Sequence, residues 1–110
     1  MLFPKFRYWR SEGYRRWVAS RPCIACGIEG YSQCAHSNQA KHGKGGAKKA
    51  SDEFSFPLCS SHGWHQGCHT MHDLCIDMDK NERDALEDRY IAETWDAAEA
   101  AGWHDKRQAA

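Results

Sequence analysis

The chain has 110 residues, equal numbers of basic and acidic side chains, 15 of each, and a mean hydropathy of −0.82. This length fits one small domain, and no apolar run is long enough to cross a bilayer, so we expect no membrane contact. The first ten residues are basic and aromatic rather than apolar, which argues against a signal peptide and predicts a cytosolic protein. Six cysteines in a reducing compartment favour metal ligands over disulfides.

The balanced charge conceals an uneven distribution along the chain. Residues 1–50 carry ten Lys and Arg against two acidic residues, whereas residues 51–110 carry five against thirteen. A basic half is typical of proteins that contact a phosphate backbone, so we expect a nucleic-acid partner. The alternative is a solvated face that binds nothing. We divide the single expected domain into a basic helical segment, 1–20, a metal-binding core, 21–76, and an acidic helical segment, 77–110.

The first predicted element is a helix over residues 11–20. Ser11 can cap its N-terminus, and Pro22 lies just beyond its end. Apolar side chains recur at three- and four-residue spacing, which is the period of one helix face. These residues are Tyr14, Trp17 and Val18. We expect the aromatic side chains, with Trp9 before the helix, to pack in the core rather than stack on bases.

A Cys-x-x-Cys knuckle, formed by Cys23 and Cys26, follows this helix. Two thiolates at this spacing can bind one tetrahedral zinc ion. A second cluster begins at Cys59, so we predict a structural zinc site whose first three ligands are these cysteines. The fourth ligand is either His62, at the usual two-residue gap, or Cys68, across a loop.

The middle of the chain is poor in helix formers. Residues 41–50 are predicted to form a flexible basic loop. Residues 54–58, in which apolar and polar side chains alternate, are predicted to form a short strand that leads into Cys59. Cys34 and Cys75 have no partner at metal-ligand spacing, so we expect both to be buried packing residues.

A long helix is predicted over residues 79–101. Asp79, with Glu82 three residues later, makes an acidic version of the capping box, and Gly102 ends the helix. The apolar stripe at helical spacing comprises Leu86, Tyr90, Ile91, Trp95 and Ala98. The opposite face is strongly acidic, so we do not expect it to contact DNA.

Short motifs after the first knuckle occur in a recognisable order. They are Ala35-His36-Ser37-Asn38-Gln39, Gly43-Lys44-Gly45-Gly46, Lys49-Ala50-Ser51-Asp52, Pro57-Leu58-Cys59, and Cys68-His69 with Asp73 four residues after the histidine. In the order and spacing of these motifs, over residues 21–73, the chain resembles the small HNH nucleases of bacteriophages and prophages. The phage-borne recombination-enhancement nucleases are plausible relatives within that family.

The resemblance implies a small α+β fold, which is a zinc-stapled ββα-metal core with an N-terminal helix and a long C-terminal helix. One strand carries His36, the other spans residues 54–58, and a helix after Cys68 carries the last motif histidine. By the same match, His36 is the general base and His69 binds a catalytic divalent metal such as Mg²⁺, Mn²⁺ or Ni²⁺. Phosphodiester hydrolysis needs a base for the attacking water and a cation for the developing charge, so the chemistry agrees.

Two departures from the family pattern leave the identity of some metal ligands undecided. Ala35 stands where many relatives have a ligand before the base, so the second ligand of the catalytic metal must come from elsewhere. The candidates are His72, Asp73, His65 and Asp52. The stretch between Cys59 and Cys68 is also longer than in the family, and its extra residues add His62 and His65.

These motifs predict a metal-dependent DNA endonuclease, encoded by a phage or prophage, that acts in the bacterial cytoplasm. Lys44, Lys48 and Lys49 on the glycine-rich loop are the expected phosphate contacts. Phage or host recombination proteins are candidate partners. One alternative is a non-catalytic zinc-binding module for nucleic acid or protein, in which His36 is a packed histidine. Another is an inactive nuclease kept as a scaffold, which Ala35 suggests.

Overall fold

The computed structural model of the chain describes residues 6–103. The predicted segments 1–20 and 77–110 therefore extend beyond it, by residues 1–5 and 104–110. The described chain is a small α+β fold with one two-stranded sheet, as predicted. Its elements are α1 (Glu12–Ala19), β1 (Ser32–His36), a 3-10 turn (Ala40–His42), β2 (Ser55–Cys59), α2 (Cys68–Asp73) and α3 (Lys80–Ala100).

Helix α1 forms where its cap and apolar spacing predicted it. The Ser11 side chain accepts a hydrogen bond from the Tyr14 amide at 3.1 Å, which satisfies one of the free N–H groups of the first turn. Tyr14 and Val18 are completely buried. They pack with Trp9 and with Ala98 of α3, and Trp17 covers this cluster from outside. Trp9, Tyr14 and Trp17 therefore pack in or against the core, as predicted.

The sheet pairs β1 with β2 in antiparallel orientation, with Ala35 opposite Phe56 and His36 opposite Ser55. Strand β2 begins and ends one residue later than the predicted strand. The alternating exposure expected for it is wrong, because all five of its residues are buried. Helices α1, α2 and α3 all contact β2, so neither of its faces reaches solvent. Phe56, Leu58 and Tyr90 belong to the main hydrophobic cluster that results.

Helix α3 begins with the predicted capping box. Asp79 accepts from the Glu82 amide at 2.8 Å, and the Glu82 carboxylate accepts from the Asp79 amide at 3.2 Å. The predicted stripe faces the core: Tyr90, Ile91 and Ala98 are buried, and Leu86 and Trp95 are partly buried. Gly102, just beyond the helix, has a φ of 92°, in the left-handed region that favours glycine.

The expectation that Cys34 and Cys75 are both buried is wrong, because both are half-buried. One acidic residue of α3, Glu87, is completely buried. This carboxylate enters the site described below. Among residues 6–103, no helix combines the length and apolarity needed to span a membrane.

Candidate functional site

Four cysteine sulfurs converge where the first knuckle meets the end of β2 and the start of α2. Cys23, Cys26, Cys59 and Cys68 place their Sγ atoms within 4.8 Å of one another, a group that could hold a metal ion. The Sγ atoms of Cys26 and Cys59 are 3.8 Å apart. Four sulfurs at about 2.3 Å from a tetrahedral zinc ion are separated by about 3.8 Å, so this spacing fits zinc. His62 and Cys68 were the two candidates for the fourth zinc ligand, and the structure places Cys68 beside the other three cysteines.

The electrostatics of these thiols also fit a cation. Burial opposes ionisation of Cys23, but hydrogen bonds from the backbone of Cys26, Cys59 and Ala25 outweigh it and lower its pKa to about 7. Burial raises the pKa of Cys68, and the neighbouring sulfurs of Cys59 and Cys23 raise it further. Four such thiols cannot all ionise side by side unless a positive ion compensates them, which is what zinc does in cysteine sites.

A separate cleft of about 150 Å³ gathers five of the residues that the sequence singled out, namely His36, His69, Asp73, Lys44 and Lys49. Its lining comprises Cys34, His36, Ser37, Asn38, Lys44, Lys49, His69 and Asp73. His36 is the last residue of β1, whereas His69 and Asp73 lie one turn apart on α2. The antiparallel pairing of the strands and the position of α2 against β2 bring these residues to one place.

His36 is held by a buried carboxylate. Its Nε2 atom lies 2.9 Å from Oδ1 of Asp52, and the His36 side chain is only 10% exposed. Burial opposes ionisation of Asp52, but hydrogen bonds from His36, the Ser11 amide and Arg15 outweigh it and lower the pKa to about 2. An ionised Asp52 can only accept hydrogen bonds, so His36 donates through Nε2. In the neutral ring, Nδ1 therefore keeps its lone pair.

Asp52 is tied to the N-terminal segment as well. It accepts from Arg15 at 2.6 Å, from Arg10 at 3.2 Å and from the Ser11 amide at 2.7 Å. From its position in the sequence, Asp52 was expected at most to be a metal ligand. The structure instead places it between His36 and two arginines, an arrangement that fixes the orientation of the imidazole.

His69 and Asp73 form the other side of the cleft. Nδ1 of His69 lies 2.8 Å from the amide oxygen of Gln33, which can only accept, so Nδ1 carries the proton. The Nε2 lone pair of neutral His69 then lies 3.4 Å from Oδ2 of Asp73. Burial lowers the pKa of His69, which favours this neutral form. Two acceptor atoms that converge in this way fit a shared cation, and they match the preference of divalent metals for imidazole and carboxylate.

Glu87 of α3 holds the segment that follows β1. Its carboxylate accepts from Ser37 Oγ at 3.2 Å, from the Asn38 amide at 3.0 Å and side chain at 2.8 Å, and from Gln39 Nε2 at 3.1 Å. Asn38 Nδ2 also donates to Oδ1 of Asp73 at 3.1 Å. Glu87 thus connects α3, through Asn38, to the wall of the cleft that carries Asp73.

His72, another candidate ligand, is turned away from the cleft. It is buried, and its Nε2 lies 2.8 Å from Glu87 Oε2. Burial opposes ionisation of Glu87, but hydrogen bonds from His72, Asn38 and Gln39 outweigh it and lower the pKa to about 2. The position of His72 and its bond to Glu87 fit a structural role.

Changing Glu87 to Gln is expected to lower the free energy of unfolding by about 3 kcal/mol at pH 7, because the pKa of this carboxyl falls on folding. A lowered pKa in the folded state stabilises the protein above the pKa of the unfolded state. The contribution is therefore constant between about pH 5 and 8 and is lost as pH falls toward about 2. Urea unfolding with excess zinc measures it. Glu99→Gln, on the exposed face of the same helix, is the control, and equal effects of the two changes would contradict the buried role of Glu87.

The three predicted phosphate-binding lysines lie on one side of the molecule. Lys44 and Lys49 line the cleft. Lys48 lies in an adjoining groove around His36, which Lys49, Arg10 and Arg15 also line. The Nζ atom of Lys48 is 4.5 Å from the ring centre of Tyr8. This cation–π contact holds Lys48 beside the cleft.

The chain belongs to the DUF968 family, whose members are described as proteins of unknown function. Residues 1–89 match the family model. It is also 42% identical over 71 residues to the uncharacterized protein YdfU of Escherichia coli (strain K12). The match covers 64% of this chain and 19% of YdfU, so the chain spans about a fifth of the length of this curated relative. No solved structure matches the chain.

Proposed function

We propose that this protein is a metal-dependent endonuclease of the HNH type, which hydrolyses DNA phosphodiester bonds. In this proposal β1, β2 and α2 are the ββα-metal core, and zinc on the four cysteines holds that core together. The observation that carries the proposal is the cleft, in which the His36–Asp52 pair faces the convergent His69 and Asp73.

His36 is the general base of the proposed reaction. Asp52 accepts the Nε2 proton at 2.9 Å and orients the ring, so Nδ1 is the atom that takes the proton from water. The carboxylate also stabilises the imidazolium that forms when this proton arrives. Because Asp52 is 1% exposed and held by two arginines, the orientation of the base is fixed before substrate binds.

His69 and Asp73 are the proposed ligands of the catalytic divalent metal. When bound there, Mg²⁺, Mn²⁺ or Ni²⁺ supplies positive charge for the scissile phosphate and its leaving oxygen. Gln33 fixes the tautomer of His69, and Asn38 fixes Asp73. Partners of this kind outside the ligand set commonly determine metal affinity.

The DNA strand is proposed to approach over the lysine side of the cleft. Changing Lys44, Lys48 and Lys49 together to Ala is expected to weaken the dependence of DNA binding on salt. The slope of log Kd plotted against the logarithm of salt concentration should fall by about 3, close to one per lysine removed. Fluorescence anisotropy with a short duplex at several salt concentrations measures this slope. Lys41→Ala is the matched control, because Lys41 already pairs with Asp88 at 3.1 Å. An unchanged slope in the triple variant would place the phosphate contacts elsewhere.

A plasmid-nicking assay with purified protein tests the activity itself. We expect nicked or linear product with one or more of Mg²⁺, Mn²⁺, Ni²⁺ and Zn²⁺, and none in a chelator. The proposal includes action in the cytoplasm of a bacterial host, phage or prophage origin, and recombination proteins as partners. Six cysteines that are all free in the structure suit that reducing compartment.

A non-catalytic zinc-binding module for nucleic acid or protein is the second candidate. One observation favours it: the cysteine group brings four ligands together, whereas the cleft brings two. Zinc-loaded protein that binds DNA but leaves plasmid intact with every metal would support this candidate over the nuclease.

A further inference from the structure

We propose that the loop after β2 holds a further zinc ion, bound by His62, by His65, by the Cys59 thiolate that it shares with the four-cysteine site, and by a water molecule in the fourth position. The ligand atoms of Cys59, His62 and His65 lie within 4.8 Å of one another. This is a separate group from the four cysteines, and Cys59 is the member that both groups share. The inference does not depend on the proposed nuclease activity.

The loop is built so that the two imidazoles lie side by side. The His62 amide donates to the His65 carbonyl at 3.1 Å, and the His65 amide donates to the His62 carbonyl at 2.9 Å. Gly63 turns the chain between them with a φ of 55°. The rings are stacked, with their centres 4.9 Å apart and their planes 5° apart, so the His65 ring has to rotate before both rings can direct a nitrogen lone pair at one ion. Two imidazoles bound to one zinc ion at about 2.0 Å have ring centres about 5 Å apart.

His62 supplies an independent sign of a ligand. Its Nε2 atom is buried and has no hydrogen-bond partner among the described residues. The ring of Tyr31 packs against His62, with ring centres 4.7 Å apart, and shields it from solvent. A buried imidazole nitrogen without a partner is costly, and a metal bond would satisfy it.

Charge favours a second ion at this position. One zinc ion with four thiolates carries a net charge of −2, and the thiols of this site are held mainly by one another and by backbone amides. A second dication with two neutral imidazoles would offset that charge. A thiolate sulfur has three lone pairs, so Cys59 can bind two ions while its Sγ still accepts from the Cys68 amide at 3.3 Å.

Binding requires one local change at His65. The Gly67 amide donates to Nδ1 of His65 at 2.7 Å, which leaves the proton of the neutral ring on Nε2. Ligation through Nε2 moves that proton to Nδ1, and the Gly67 amide turns away because two donors cannot face each other. One lost backbone hydrogen bond is a small cost beside a zinc–nitrogen bond.

Zinc counting on purified protein tests the proposal. We expect wild-type protein to hold one zinc more per chain than the double variant His62→Ala/His65→Ala, by elemental analysis. The difference is the same whether or not the cleft retains a metal, so it is independent of the nuclease proposal. The exposed neighbours in the loop provide the control, Trp64→Ala/Gln66→Ala, which should keep the wild-type count.

Single variants keep the test decisive if the double variant folds poorly. His62→Ala and His65→Ala should each weaken one zinc by at least about a hundredfold in chelator competition, because each removes a ligand. The four-cysteine zinc should stay bound in both. Equal zinc counts in the wild type and the double variant, or equal chelator competition in the wild type and the single variants, would overturn the proposal. Loss of all zinc from the variants would also overturn it, because the histidines would then serve the same ion as the cysteines.

Discussion

Replacing His36 with Ala is expected to lower DNA cleavage at least about a hundredfold, while zinc content, fold and DNA affinity stay near wild type. His36 lines the cleft, and its only described polar partner is Asp52, so its loss removes the base without removing a zinc ligand. Time courses of plasmid nicking at saturating protein measure the change. Asn81→Ala, at an exposed position on α3, is the control for purification and handling.

A second variant separates the base from a merely structural histidine. Asp52→Asn keeps the shape of the carboxylate but removes its charge, so we expect cleavage at saturating DNA to fall at least about tenfold while DNA is still bound. Because a base must be unprotonated to act, wild-type cleavage should rise with pH, and the residual cleavage of His36→Ala should lack this rise. Wild-type cleavage by His36→Ala would rule out the mechanism. Loss of zinc with unfolding would favour the binding-module candidate.

The sequence predicted the parts of the fold that depend on local spacing. Ser11 and Asp79 are caps because their side chains reach amides only three residues away, and this local geometry is readable from sequence. The Cys23–Cys26 knuckle is readable for the same reason. Both helices and the later strand consequently lie within one or two residues of their predicted positions.

The fourth cysteine could not be chosen from sequence. His62 and Cys68 both follow Cys59 at plausible spacings, and the choice depends on the path of the loop between them. Gly67, with a φ of 101°, turns the chain so that Cys68 starts α2 facing the other sulfurs. This conformation suits glycine, but glycine alone does not show which way the chain returns.

The role of Asp52 was missed for a different reason. Asp52 meets Arg10 and Arg15 across sequence separations of 42 and 37 residues, and no local pattern encodes such pairs. The burial of Glu87, in contrast, could have been predicted from the sequence. Glu87 lies three and four residues before Tyr90 and Ile91, on the apolar stripe itself, so the helical period places it inside. A carboxylate on such a stripe needs several donors, and Asn38 and its neighbours supply them.

Replacing Cys68 with Ser is expected to release zinc from the four-cysteine site and to unfold the protein at 25 °C. Structural zinc contributes on the order of 10 kcal/mol in small metal-stabilised domains, which is comparable with the whole stability of an ordinary domain. Cys23→Ser should act in the same way. Elemental analysis for zinc and circular dichroism with urea unfolding measure the two effects.

The control for this change is Cys75→Ser. Cys75 is half-buried and belongs to neither metal-binding group among the described residues, so its replacement should leave zinc content and unfolding close to wild type. His62 and His65 form their group with Cys59 and not with Cys23 and Cys26, so they are not positioned to complete the four-cysteine site. Full zinc content and wild-type stability in Cys68→Ser would therefore show that Cys68 is not the fourth ligand. Native protein without zinc would refute the site as a whole.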